Sequence, residues 1–385
     1  MALANTLTGL IPTLYAGMDV VSRELVGMIP SVTINAETSR VALNQPLRVR
    51  ITPRLTAVDI TPAMTPPTPN SVQIPFVEMS VTKSRAVQVP WSGEEQQSLS
   101  GAGPGIESVT PDQVAQALRT LTNEIEVDLG VAGALFASRA YGTAGTAPFG
   151  ATPGIADSAN VRKILDDNGA PLFDRQLVIN TSAGVNLRSL PSLTRVNEAG
   201  LAGTLRQGTL YDLHGLNTRE SAGIASPAKG TGTAYTSNTA GYAVGATVIT
   251  LITGSGTVLA GDRVTFAGDS NIYVVEVGTA APGAITLAKP GLRVAIPASA
   301  TAMTIGNVAA LNLAFHRSAI ILMARAPYLP GGRDMALERM TIVDPLTGMP
   351  FEFAIYQGYH AQFLEVSMSW GVKGIKQEHT AVLLG

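Results

Sequence analysis

At 385 residues the chain is long enough to bury a substantial core and to hold two or three domains. Only 14% of its residues are charged, the formal net charge is -2, and Lys and Arg are scattered, which excludes the basic stripe that counterion release on nucleic acid requires and points to a surface covered by other protein. The absence of cysteine excludes disulfide frameworks, thiol catalysis and zinc–thiolate sites, and it fits a reducing cytoplasm.

In chain order, Pro12 with Leu14, Met18, Val21 and Leu25 at helical spacing predicts one amphipathic helix in an N-terminal arm. Met1 to Tyr15 lacks a basic n-region, and Asp19, Arg23 and Glu24 follow, so no targeting signal is expected. Leu47-Arg48-Val49-Arg50-Ile51 alternates strictly and predicts a half-exposed strand. A connection rich in proline (Pro53, Pro62, Pro66, Pro67, Pro69) leads to a β-run from Val72 to Val89, whose alternation changes phase between Phe76 and Val77 and so predicts a bulge or a change of exposed face. Two such strands make an extended hairpin, marginal alone in water and therefore expected to lie on a neighbour.

The clearest helix is expected from Thr110-Pro111-Asp112-Gln113, where Thr caps and Pro takes the first helical position, to about Arg139. Val114, Leu118, Leu121, Ile125, Leu129 and Ala132 form its apolar stripe, and Asp112, Arg119, Glu126 and Asp128 its opposite face. A second helix over Ala156 to Asp167 is stopped by Asn168-Gly169, and Gln176 to Asn180 reads as a strand. Gly208 to His214 and Leu313 to Arg325 are read as strands that enter and leave an insertion and could be sheet neighbours. Alternating runs at Phe351-Phe353-Ile355 and Leu364-Val366-Met368-Trp370 follow, then Gly371 to Ile375 and Ala381 to Leu384. The pattern is α+β.

The insertion, from about Ser226 to Gly306, is built of Gly, Thr, Ala and Val. Its β-rich runs are Thr247–Ile252, Arg263–Ala267, Ile272–Val277, Ala284–Ala288 and Ala302–Ile305. The turns between them (Gly254-Ser255-Gly256, Gly268-Asp269-Ser270-Asn271, Ala281-Pro282-Gly283, Pro290-Gly291) predict a small barrel or sandwich spliced into a host domain where the cut ends lie close together. Gly230 to Gly261 carries no charge, but its composition and period of two argue for β-structure over a membrane helix.

This order of elements resembles a tailed-phage major capsid protein of the HK97-like fold, and in particular the podovirus-type coat proteins with an insertion domain. Leu259-Ala260-Gly261-Asp262-Arg263-Val264-Thr265-Phe266-Ala267-Gly268 is similar to a segment of that insertion domain, and Trp370 to Ile375 with Ala381-Val382-Leu383 resembles the family's C-terminal strand. The resemblance implies an N-terminal arm (1–44), an extended β-hairpin arm (45–90) and a peripheral domain with a spine helix (91–149). It further implies an axial domain in two parts (150–225 and 308–340) around an inserted small β-barrel domain (226–307), then C-terminal strands of the peripheral domain (341–385). The insertion is shorter than in the podovirus type.

The implied function is an icosahedral shell of hexamers and pentamers enclosing double-stranded DNA. The implied partners are other copies of the chain, a scaffolding protein, a portal protein at one vertex, a decoration protein, and packaged DNA contacted non-specifically, with no membrane. The implied location is the virion, assembled in the bacterial cytoplasm. Arg48, Arg50, Arg54, Lys83 and Arg85 on the arm are the candidate contacts for Glu124, Glu126 and Asp128 on a neighbour's spine helix; the competing reading is that these are solvated faces.

No catalytic, cofactor or metal site is expected. His214, His316, His360 and His379 never fall at i, i+4. Asp166-Asp167-Asn168-Gly169 lacks a Glu at the twelfth position of a calcium loop, where Leu177 stands. Gly254-Ser255-Gly256-Thr257 is no P-loop, and Gly101-Ala102-Gly103-Pro104-Gly105 no dinucleotide turn. Lys83 is thin support for a covalent cross-link. Two alternatives stand beside the capsid reading: a nanocompartment shell of the same fold, and an enzyme with an accessory β-module, for which no acid/base pair or nucleophile elbow emerges.

Overall fold

The computed structural model describes residues 26–36, 39–50, 55, 57–60, 62, 64, 74–102, 106–194, 212–332, 334–345 and 347–385. The expected helix near Pro12 and most of the proline-rich connection lie outside them. Two sheets and a long helix between them organise the rest.

The first sheet is built around one strand. Strand β1 (Thr33–Ala36) is followed by β2 (Pro46–Arg50) and β3 (Phe76–Ser80), which among the described residues pair only with each other in a two-stranded ladder, the arm, and then by β4 (Lys83–Ser92). Helix α1 (Gly93–Ala102) and the long helix α2 (Ile106–Leu135) come next. Near the C-terminus, β16 (Ala336–Val343), β17 (Pro350–Gln357) and β18 (Ala361–Gly374) form a meander. The two runs read separately around Trp370 are thus a single 14-residue strand, because Gly371 continues the ladder without a turn. One edge of β18 pairs with β4 over Ala361–Trp370; the other pairs with β17 and then, end to end, with β15 (Ile320–Arg325). β15 in turn takes β1 in parallel.

Helix α2 covers this sheet. Val114, Leu118, Leu121, Ile125 and Leu129 are all 1% exposed or less and meet Phe353, Val366, Met368 and Trp370 in one core. The helix begins four residues before the expected Thr110 cap, and Pro111 sits inside it, where its missing N–H forgoes a single hydrogen bond. It ends at Leu135 rather than near Arg139 because Ser138 donates both its backbone N–H (2.9 Å) and its hydroxyl (2.7 Å) to the Thr380 carbonyl. Those bonds draw the chain into β5 (Arg139–Tyr141) of the second sheet.

The second sheet begins from β6 (Arg175–Ile179), which follows helix α3 (Ala156–Asp167). Helix α3 ends as predicted, with Asn168 at its C-cap and Gly169 at φ +74. β6 pairs with β7 (Asn217–Glu220) on one side and β14 (Leu311–His316) on the other, and β14 continues to β19 (Thr380–Leu384) and β5. Two expectations are corrected here. The strand entering the insertion lies at Asn217–Glu220, since Leu213 and Leu216 close a turn through His214 at φ 51, and Gly208 to Tyr211 fall outside the described residues. The run Leu313 to Arg325 is two strands, β14 and β15, divided by the 3-10 turn Arg317–Ala319 and assigned to different sheets. β7 and β14 are not neighbours, because β6 lies between them.

The segment 226–307 supplies β8 (Tyr235–Thr236), β9 (Val248–Thr250), β10 (Arg263–Phe266), β11 (Ile272–Val277), β12 (Ala284–Leu287) and β13 (Ala302–Ile305). Antiparallel pairing runs β9–β12–β11–β10–β13–β8. Beyond β8, Ser237 bridges Leu251, and Ile252 N–H donates to the Thr236 carbonyl at 3.0 Å. These strands enclose their own core, with Tyr235, Val264, Phe266, Tyr273, Val275 and Leu287 buried. β8 escaped sequence reading because it is two residues long and held mainly by bridges. The segment is also joined to the second sheet, since β11 pairs with β5.

Candidate functional site

At the foot of the arm, a cluster of charge ties β4 to helix α2. Lys83 Nζ lies 2.8 Å from Asp128 Oδ1 and 3.2 Å from Glu124 Oε1, and Arg85 Nε lies 3.4 Å from Glu124 Oε1. Trp370, opposite Lys83 in the ladder and fully buried, donates its indole N–H to Asp128 Oδ2 at 2.9 Å. The hydrogen bond to Asp128, assisted by Glu124, raises the Lys83 ammonium above its usual range despite the opposing effect of burial. Residues of α2 one turn apart share a face. That spacing lets Glu124 and Asp128 take one lysine together.

Lys83, Arg85, Glu124 and Asp128 therefore meet within one chain. Glu126 does not join them, and its expected place on an exposed face is corrected: it is 3% exposed and turned towards the N-terminal segment. Its Oε1 accepts from the backbone N–H groups of Gly27 (2.7 Å) and Met28 (2.6 Å) and from the Ser221 hydroxyl (2.6 Å), and Oε2 accepts from Ile29 N–H (3.0 Å). A side chain on Gly27 would strike the Glu220 carbonyl at 2.6 Å, and one on Gly223 would strike Glu126 itself at 2.8 Å. Sequence periodicity found the position but not the role, because the partners are three backbone groups and a hydroxyl about a hundred residues away.

Arg48 lies further out on the arm. It pairs with Glu78 across the β2–β3 ladder at 3.1 Å, and its guanidinium sits 4.5 Å over the Phe76 ring. Arg50 is exposed opposite Phe76, and Arg54 lies outside the described residues. The β2–β3 register runs without a bulge from Pro46↔Ser80 to Arg50↔Phe76. The phase change is therefore a change of exposed face: Val77, Met79 and Val81 turn inward, while Ile74 and Phe76 are 63% and 49% exposed. Towards the tip, Leu55, Val58, Ile60 and Met64 are 69%, 73%, 99% and 107% exposed. Isolated exposed aliphatics are ordinary, but Leu55, Val58, Ile60, Met64 and Ile74 all fall in the one connection between β2 and β3.

A second anchor fixes the segment 226–307. Arg139, 4% exposed, donates to Asn271 Oδ1 (2.9 Å) in one of its turns and to Asp167 Oδ2 (3.3 Å) at the end of α3. Burial lowers the Arg139 pKa, and Asp167 partly restores it. Arg293 donates to the Asp167 carbonyl at 3.2 Å, and Lys289 N–H to Gln377 Oε1 at 2.9 Å. Tyr273 donates to Asp269 Oδ2 at 2.5 Å; burial and that bond push its hydroxyl up to about 12.

Among the described residues no group of three or more His, Cys, Asp or Glu side chains could hold a metal ion, and no helix is long and apolar enough to cross a membrane. No protein-family model and no curated protein matches the sequence. A capsid structure of the cyanophage P-SCSP1u is 12% identical, with a TM-score of 0.50 over 92% of this chain and 86% of that one. The fold is the HK97-like fold of phage capsids. A Mycobacterium phage Che8 structure (14% identity, TM-score 0.47) covers 90% of this chain and 88% of its own. The mature capsid of bacteriophage PhiM1 (11%, 0.46) covers 93% and 86%.

Proposed function

We propose that this chain is the major capsid protein of a tailed bacteriophage, self-assembling into an icosahedral shell of hexamers and pentamers around double-stranded DNA. The observation that carries the reading is the arm. On an HK97-like subunit, its Leu55, Val58, Ile60, Met64, Ile74 and Phe76 side chains are left exposed by the chain itself. Burying such area against another copy at about 25 cal/mol per Å² drives assembly without a charged interface. The low charge content supports the same reading.

The subunit divides, on this reading, into the arms, a peripheral unit of α2 with the first sheet, and an axial unit of α3 with β6, β7, β14 and β19. The segment 226–307 is then an inserted β-barrel, closed by the contacts of β8 with the end of β9. The protein acts as a structural component of the virion rather than as an enzyme. Scaffolding, portal and decoration proteins would meet it during assembly in the host cytoplasm, and packaged DNA would be touched non-specifically. Electron microscopy of the purified protein, or of particles made with the products of neighbouring genes, tests this. Closed icosahedral shells are expected; isolated monomers even with scaffold supplied would overturn it.

A further inference from the structure

The chain crosses directly from one sheet to the other at two 3-10 turns, and each turn carries a histidine. His316 ends β14 and caps the turn Arg317–Ala319 that leads into β15. His379 closes the turn Gln377–His379 between β18 and β19. The rings face each other edge to face, with centroids 6.1 Å apart. Ile375 N–H donates to the Ala319 carbonyl (2.7 Å), tying the end of β18 to the first turn, and Asn168 Nδ2 donates to the Glu378 carbonyl (2.9 Å), tying the second turn to the end of α3.

The hydrogen bonds define how His316 works. Its Nδ1 accepts the Ser318 N–H at 3.3 Å and sits 2.8 Å from the Ser318 hydroxyl, so the neutral ring carries its proton on Nε2. That Nε2 is buried without a partner, and so is Nδ1 of His379. A second proton on His316 must go to Nδ1. There it converts the acceptor of the turn's cap into a donor and leaves the Ser318 N–H unpaired.

The surroundings oppose that charge. The Arg175 guanidinium and Lys376 ammonium act against protonation of both rings, whereas Asp174 favours it on His316 and Glu378 on His379. Arg175 itself is bound to Asp166 at 2.6 Å. The exposed Phe173 ring closes over the edge of His316 at 5.4 Å. Burial, the largest effect, depresses both imidazoles below their usual 6.5.

We propose that His316 and His379 form an acid-responsive joint between the two sheets, closed while both rings are neutral and loosened when they take up protons from solvent. A ring with a depressed pKa binds fewer protons in the folded state, so stability falls as pH drops below the unfolded value of 6.5 towards the folded one.

The test uses the full chain. Exchange of the histidine C2 hydrogens, followed by mass spectrometry from about pH 5 to 8, reads each ring's titration. Amide hydrogen exchange of residues 317–319 and 377–380, corrected for intrinsic rates, reads the two turns. Both rings are expected to titrate below 6.5. The turn amides are expected to lose about tenfold protection on acidification, while the centres of β14 and β18 stay protected. In the His316→Asn/His379→Gln variant, Asn keeps an acceptor for Ser318 N–H but cannot titrate, and the loss should vanish. Rings titrating at or above 6.5, turn protection independent of pH, or the same loss in the variant would each overturn the proposal; if the variant does not fold, the wild-type ring and amide titrations decide.

Discussion

Glu126 satisfies three consecutive backbone N–H groups and a hydroxyl in a buried setting, and each such donor costs about 1–3 kcal/mol when left unpaired. Glu126→Ala is expected to cost several kcal/mol in total, read as a lower urea midpoint. Glu126→Gln keeps acceptor capacity and should cost less. The exposed Arg48–Glu78 pair is worth at most about 1 kcal/mol, so Arg48→Glu should barely change the midpoint. Asp334 gives a pH signature. Burial acts to raise its carboxyl, but hydrogen bonds from Tyr356, Arg339 and Ala336 N–H hold it down at about 2. A depressed carboxylate stabilises the fold above its unfolded value and loses that contribution as pH falls from about 4 towards 2. Wild type should therefore exceed Asp334→Asn in thermal midpoint at neutral pH and converge with it at the acid end.

Elements meet where glycine allows it. β18 crosses the foot of the arm at Gly371, where a Cβ would collide with the Ser80 carbonyl, and passes just beyond the end of α2 at Gly374, where it would enter the Phe136 ring. Gly371→Ala is expected to destabilise by about 1–3 kcal/mol, the usual cost of overpacking, because the obstacle is backbone. Circular dichroism melts would show it. Gly374→Ala meets a side chain that can turn, so the smaller loss belongs there. The same crossing separates the β2–β3 ladder from the first sheet: β3 ends at Ser80, Thr82 N–H donates to the Trp370 carbonyl at 3.0 Å, and β4 then joins the first sheet.

At the scale of the molecule, the arm's apolar tip and the charged foot have separate consequences. Ile60→Asp with Met64→Asp leaves the core untouched, since both side chains are fully exposed. The variant should fold with an unchanged melt yet fail to form shells in electron micrographs. Lys83→Met removes an anchor shared by β4 and α2, and it should lower the melting temperature by a few degrees, as a loss on the order of 1 kcal/mol does. The double sheet also gives the subunit a joint. β14–β15 and β18–β19 each cross it at a turn, so a change at those turns bears on how the two halves sit.

The sequence alone determined what depends on near neighbours in the chain. The stripe of α2, the stop of α3 at Asn168-Gly169, and the strands β9 to β13 of the segment 226–307 follow from local spacing and turn chemistry. The alternation at Arg48 and Arg50 likewise showed a half-exposed strand. Tertiary structure decided what depends on distant partners. The division of Leu313 to Arg325 at His316, the fusion of two runs into β18, and the end of α2 at Leu135 each follow from hydrogen bonds to strands far along the chain. The same holds for the charges. Periodicity put Glu124, Glu126 and Asp128 on one helix, but only the packed fold turned two of them to Lys83 and buried the third under the backbone of Gly27 to Ile29. A carboxylate finds its partner through space, and hydrophobic spacing carries no information about which backbone group will arrive there.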